Sequence, residues 1–174
     1  MLYAVLVVAL VVLDQVVKFL VRANIPLGGD VPFLPHILHL TYVQNTGAAF
    51  SLLEEHTWIL TIVSLVVSVL LVVLLVKKVF PRPFAMAALS MVLAGAVGNL
   101  IDRALLGYVT DMFETLFMRF AVFNVADICV VVGGIAFCVY YLFFHGKEEA
   151  MEPILLRLTG RGSGPTSSWP GWCR

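Results

Sequence analysis

Four long, nearly uncharged stretches constrain this chain more than any other feature: Leu2 to Val21, Thr57 to Val76, Phe84 to Ile101 and Val125 to Phe144. Each is close to the length of roughly 20 apolar residues that crosses the hydrocarbon of a bilayer. Inside that hydrocarbon, backbone groups find partners only within a helix or a closed barrel. Four membrane-spanning helices are therefore expected. Of 174 residues 61% are hydrophobic and 13% charged, too few charges to cover a water-soluble domain of ordinary surface. The first stretch has no Lys or Arg ahead of it and is longer than the apolar core of a cleaved leader, so it is expected to remain as a span.

Basic residues near the span ends give an orientation. Lys77, Lys78 and Arg82 with Lys147, Arg157, Arg161 and Arg174 make up seven of the eleven, which predicts that the loop after the second span and the C-terminal tail are cytoplasmic. Both termini are then inside, and the loops 22–56 and 102–124 face outward. The first outer loop holds Pro26, Gly28, Gly29, Pro32 and Pro35 before Ile37 to Val43, a run with aromatic and β-branched members that suits short strands. The expected architecture is thus an all-α integral membrane protein of four transmembrane helices, with a small β-containing extracytoplasmic region at the outer surface. Residues 1–145 form its membrane domain. The tail 146–174, rich in Gly, Ser, Pro and Arg beyond Gly160, is expected to be largely disordered. Zero net charge without a basic stripe excludes a nucleic-acid partner.

Against this apolar background each intramembrane polar group calls for a reason, since a charge at a helix centre costs about 2.5–3.5 kcal/mol on insertion scales. Asp14 and Lys18 stand at i, i+4 in the first span, a spacing that suits an ion pair. Gly95, Asn99 and Asp102 share one face at the end of the third span, with Arg103 one turn beyond Asn99. Asn124 and Asp127 open the fourth span, where an Asn cap and a first-turn carboxylate are both favoured. Asp111 lies in the loop between those spans, and Asn45 begins the polar turn Asn45-Thr46-Gly47-Ala48-Ala49-Phe50 before the second span. Taken singly, ion pairing, helix packing, capping and a solvated turn explain each. Four unrelated causes do not explain why all fall near one leaflet boundary.

The scattered histidines His36, His39, His56 and His145 and the separated cysteines Cys129, Cys138 and Cys173 offer no nucleophilic triad and no metal-binding spacing, so neither metal nor cofactor is expected. Paired carboxylates remain. Two aspartates held close share one proton and can deprotonate water while protonating a carbonyl or an amine. Asp111 and Asp127 are the natural pair, because the loop between them is long enough to fold back.

Asp14-x-x-x-Lys18, Asn45-Thr46-Gly47-Ala48-Ala49-Phe50, Gly98-Asn99-Leu100-Ile101-Asp102-Arg103, Val109-Thr110-Asp111 and Phe123-Asn124-Val125-Ala126-Asp127 follow one another in an order and spacing that resembles lipoprotein signal peptidase, or signal peptidase II. The resemblance spans nearly the whole chain apart from the tail. It implies a catalytic dyad of Asp111 and Asp127, with Asp14, Lys18, Asn45, Asn99, Arg103 and Asn124 lining or supporting the site. It further implies a bacterial plasma-membrane endopeptidase that meets its diacylglyceryl-modified prolipoprotein among membrane lipids and cuts before the lipidated cysteine; a monomer is the expected working unit. Thr110 departs from the family pattern, which usually carries an aliphatic residue there. The rival expectations are a small transporter or proton relay, which would place polar residues at successive depths, and a non-catalytic assembly subunit.

Overall fold

The computed structural model describes residues 1–47 and 57–145. The end of the polar turn, from Ala48, and the tail beyond His145 lie outside the described residues. Two compact units divide the chain, Met1–Phe137 and Cys138–Arg174, and the described part of the second is the last turns of the final helix.

In chain order the elements are α1 (Leu2–Asn24), β1 (Asp30–Leu34), β2 (Leu38–Asn45), α2 (Thr57–Val76), α3 (Pro83–Leu106), β3 (Val109–Thr115) and α4 (Val125–Tyr140), which continues as a π-helical turn to His145. Among the described residues four helices are long and apolar enough to cross a membrane. The chain is a multi-pass membrane protein. Two helices run past their expected ends, α1 to Asn24 and α3 to Leu106, so Asp102 and Arg103 are helical rather than part of a loop.

Local chemistry sets the helix boundaries. Pro83 occupies the first turn of α3, where its missing N–H is no loss, and Gly107 closes the helix at φ 79°, a left-handed conformation suited to glycine. The burial pattern inverts that of a soluble protein. Asp14, Lys18 and Val21 are the buried residues of α1, while Val5, Val8, Val12, Val16 and Phe19 are exposed. Such an outside suits lipid, which is as apolar as the side chains facing it. The most enclosed helix, α3, buries chiefly small residues such as Ala85, Ala88, Ala94, Gly95 and Gly98.

Glycine allows α3 and α4 to approach closely. A Cβ on Gly95 would collide with the backbone oxygen of Ala126, and one on Gly133 would stand 2.7 Å from that of Ala88. On the other flank Leu71, Leu89 and Leu93 pack α2 against α3, with Phe80 and Phe137 edge to face beside them.

The β region is a three-stranded antiparallel sheet in the order β1-β2-β3. It is larger than the strands expected from Ile37 to Val43, and Asp111, read from sequence as a loop residue, lies within β3. Val43 faces Asp111 across the ladder and Asn45 faces Val109, with a register shift between Leu40 and Val43 that places an extra residue in β2. Val21 of α1 and Ile25, the residue that caps it, pack on Tyr42 and Met112, fixing the sheet to the helix end.

Candidate active site

The cluster begins at Lys18, whose side chain is wholly buried. Its Nζ lies 3.0 Å from Asp14 Oδ2 and 3.2 Å from Asp102 Oδ2. A buried ammonium between two carboxylates joins α1 to α3, and Gln15 Nε2 reinforces it from 3.1 Å to Asp14, Asp102 and the Gly98 carbonyl. A Cβ on Gly98 would sit 2.6 Å from Asp14 Oδ2, so a glycine is what admits the carboxylate.

Each carboxylate of this cluster also accepts a backbone N–H from the residue just before another aspartate. Asp102 Oδ2 accepts from Thr110 N at 2.9 Å, and Asp14 Oδ1 accepts from Ala126 N at 2.9 Å. Asp111 follows the first and Asp127 the second. One lysine-centred cluster thereby holds both the β3 strand and the start of α4, two segments distant in sequence.

Three asparagines complete the arrangement. Lys18 can only donate, so Asn99 meets it with Oδ1 at 2.9 Å and turns Nδ2 toward Asp127 Oδ1 at 2.8 Å. Asn124 caps α4: its Oδ1 accepts from Asp127 N at 2.9 Å, while Asp127 Oδ2 accepts from Asn124 N at 3.1 Å, a reciprocal capping box. That orientation leaves Asn124 Nδ2 to donate to Asp111 Oδ1 at 2.6 Å and to Asn99 Oδ1 at 3.2 Å. Asn45 Nδ2 donates to Asp111 Oδ2 at 2.9 Å, its Oδ1 being occupied by Gly47 N. Capping and site-building are thus done by the same atoms.

Asp111 is 2% exposed, and burial pushes its carboxyl up to about 6, with the charge of Asp127 adding to the rise and the Asn45 and Asn124 bonds opposing it. Asp111, Asp127, Asn45, Asn99 and Arg103 line one cavity of about 510 Å³, walled by apolar residues such as Phe123, Val130 and Val131. Arg103 Nε is buried without a hydrogen-bond partner among the described residues. Every site residue expected from sequence belongs to this cavity or to the network behind it.

The model of the signal peptidase (SPase) II family matches residues 6–144. A lipoprotein signal peptidase of Enterococcus faecalis is 46% identical over 143 residues, 82% of this chain and 88% of that protein. One of Clostridioides difficile is 42% identical over 150 residues, 86% of this chain and 100% of that protein. The chain belongs to the signal peptidase II family. A solved structure described as a bacterial membrane enzyme, determined by the in meso method, superposes with a TM-score of 0.73 at 27% identity, covering 93% of this chain and 92% of its own. A second, described in the same way, gives 0.75 at 30% identity over 82% and 93%.

Within this signal peptidase II member, Asp102, Gln15 and Arg22 were not singled out from sequence as site residues. Asp102 carries a signal there, a carboxylate on the same helical face as Asn99. Gln15 stands between Asp14 and Lys18 in a span, where a polar side chain needs partners. Arg22 Nη1 donates to Thr110 Oγ1 at 2.9 Å, which is how a fully buried hydroxyl is accommodated there. Nothing local to Arg22 in the sequence points to that pairing.

Proposed function

We propose that this chain is an intramembrane aspartic endopeptidase that removes the signal peptide from diacylglyceryl-modified prolipoproteins, with Asp111 and Asp127 as its catalytic dyad. The observation that carries this is the convergence of two aspartates from different elements on one largely apolar cavity, each held by directed donors. Its curated relatives bear the name lipoprotein signal peptidase.

In the step envisaged, one carboxyl of the pair is protonated and the other ionised. Burial favours the proton on Asp111. The ionised partner takes a proton from water as its oxygen attacks the scissile carbonyl carbon, and the protonated carboxyl passes its proton to the carbonyl oxygen. Collapse of the tetrahedral species breaks the C–N bond, the amine leaving with a proton from the dyad. Asn45, Asn99 and Asn124 hold the carboxylates, and Arg103 faces the cavity, where its guanidinium can take up a substrate carbonyl.

The charge distribution of the loops supports an orientation with both termini cytoplasmic and the sheet and dyad near the outer leaflet boundary. The precursor then arrives within the bilayer as a lipidated peptide and needs no aqueous path. All the site residues come from one chain, which supports a monomer as the working unit.

Purified protein in lipid should cut a diacylglyceryl-modified precursor on the N-terminal side of the modified cysteine and leave the unmodified precursor intact. Absence of cleavage, with proton or solute flux through the protein instead, would establish the transporter alternative.

A further inference from the structure

Two cavities meet at Asp111. The first is the apolar one shared with Asp127. The second, of about 880 Å³, extends along β3 and the loop that follows it, and Asn45, Asp111 and residues 120–122 line both. Their chemistry differs. Valines dominate the far wall of the first, whereas Gln44, Thr46, Glu114, Thr115 and Arg119 stand among apolar residues such as Leu116 and Phe117 in the second.

A bond held at Asp111 therefore has within reach an apolar compartment and a second one that carries charged and polar side chains. The signal segment of a precursor is apolar and belongs in the first. Beyond the lipidated cysteine, whose acyl chains stay with the bilayer, the precursor leaves the membrane, and the second cavity lies open to that segment.

Within the second cavity Glu114 is half-buried, and neither Glu114 nor Arg119 has an ion-pair partner among the described residues. Three strand positions separate Glu114 from Asp111, roughly 10 Å at about 3.3 Å per residue. An extended peptide laid along β3 brings its third residue past the scissile bond to that carboxylate. Arg119 is exposed, so solvent screens it more strongly than it screens Glu114.

Resting on the peptidase assignment above, we propose that the second cavity is the subsite for the segment that follows the lipidated cysteine, and that Glu114 makes it favour a basic and disfavour an acidic side chain at about the third residue counted from that cysteine.

The test uses the full chain in zwitterionic lipid and three diacylglyceryl-modified precursors that differ only at the third residue counted from the modified cysteine, as Lys, Ser or Glu. The expected order of kcat/KM is Lys, then Ser, then Glu, the extremes differing by about threefold, as one partly exposed ion pair provides. Glu114→Gln should bring the Lys-to-Glu ratio close to one, and Glu114→Lys should invert it. Because each ratio is taken within one variant, differences in the amount of folded protein cancel. In the wild type alone, raising the salt should collapse the ratio. A wild-type ratio of one, a ratio indifferent to salt, or a ratio that survives both substitutions overturns the subsite. Failure to cut any of the three precursors overturns the peptidase assignment itself, and the subsite with it.

Discussion

Asp111 owes its chemistry to the strand that carries it. Buried beside Asp127 and held by two asparagine amides, its carboxyl keeps its proton up to about 6 rather than losing it near 4. The singly protonated dyad exists below that point and is lost as pH rises through it, so kcat/KM is expected to show an alkaline limb centred near 6. Asn45 donates to the ionised form and lowers this value. Asn45→Ala should therefore move the alkaline limb to higher pH, measured from the pH profile of kcat/KM; movement to lower pH would contradict the assignment. The residues of the site were largely legible in the sequence, because an Asn, Asp or Lys in an apolar span stands out. Their bonds were not: the contacts of Arg22 with Thr110 and of Asp14 with Ala126 N join residues 88 and 112 positions apart.

At the scale of elements, the Lys18 cluster holds α1, α3, β3 and the start of α4 in one arrangement. Lys18→Met should leave two buried carboxylates uncompensated and lower stability by about 3–5 kcal/mol, read as a fall in thermal unfolding temperature in detergent. Gly95 governs the approach of α3 to α4. Gly95→Leu would drive a side chain into the backbone of Ala126, one residue before Asp127, so both unfolding temperature and cleavage rate are expected to fall, with a cost of about 1–3 kcal/mol. Helices could be read from sequence because length and hydropathy are local properties. The strand β3 could not, since Val109 to Thr115 is short and its pairing partners lie 64 to 77 residues earlier in β2. Asp102 lies only eight residues before Thr110, and its acceptor role appears once the chain has turned at Gly107 and brought Thr110 N back to it.

Over the described residues the spanning helices turn many apolar side chains outward and bury Asp14, Lys18 and Asp102, which gathers their polar groups into one network and leaves the helix surfaces compatible with lipid. A reporter fused after Arg174 should register as cytoplasmic if the basic residues set the topology as proposed; an external signal would place the dyad at the opposite leaflet. The two cavities that meet at Asp111 give the network its use, one suited to an apolar signal segment and the other to the segment that follows the lipidated cysteine. Most direct of all is the comparison of wild type with Asp111→Asn and Asp127→Asn on a diacylglyceryl-modified precursor, with unfolding temperature measured for each. Each substitution removes a proton-transfer group while keeping its shape, so cleavage should fall by about 10²- to 10⁴-fold in a protein that still folds. Wild-type cleavage by either folded variant would contradict the dyad.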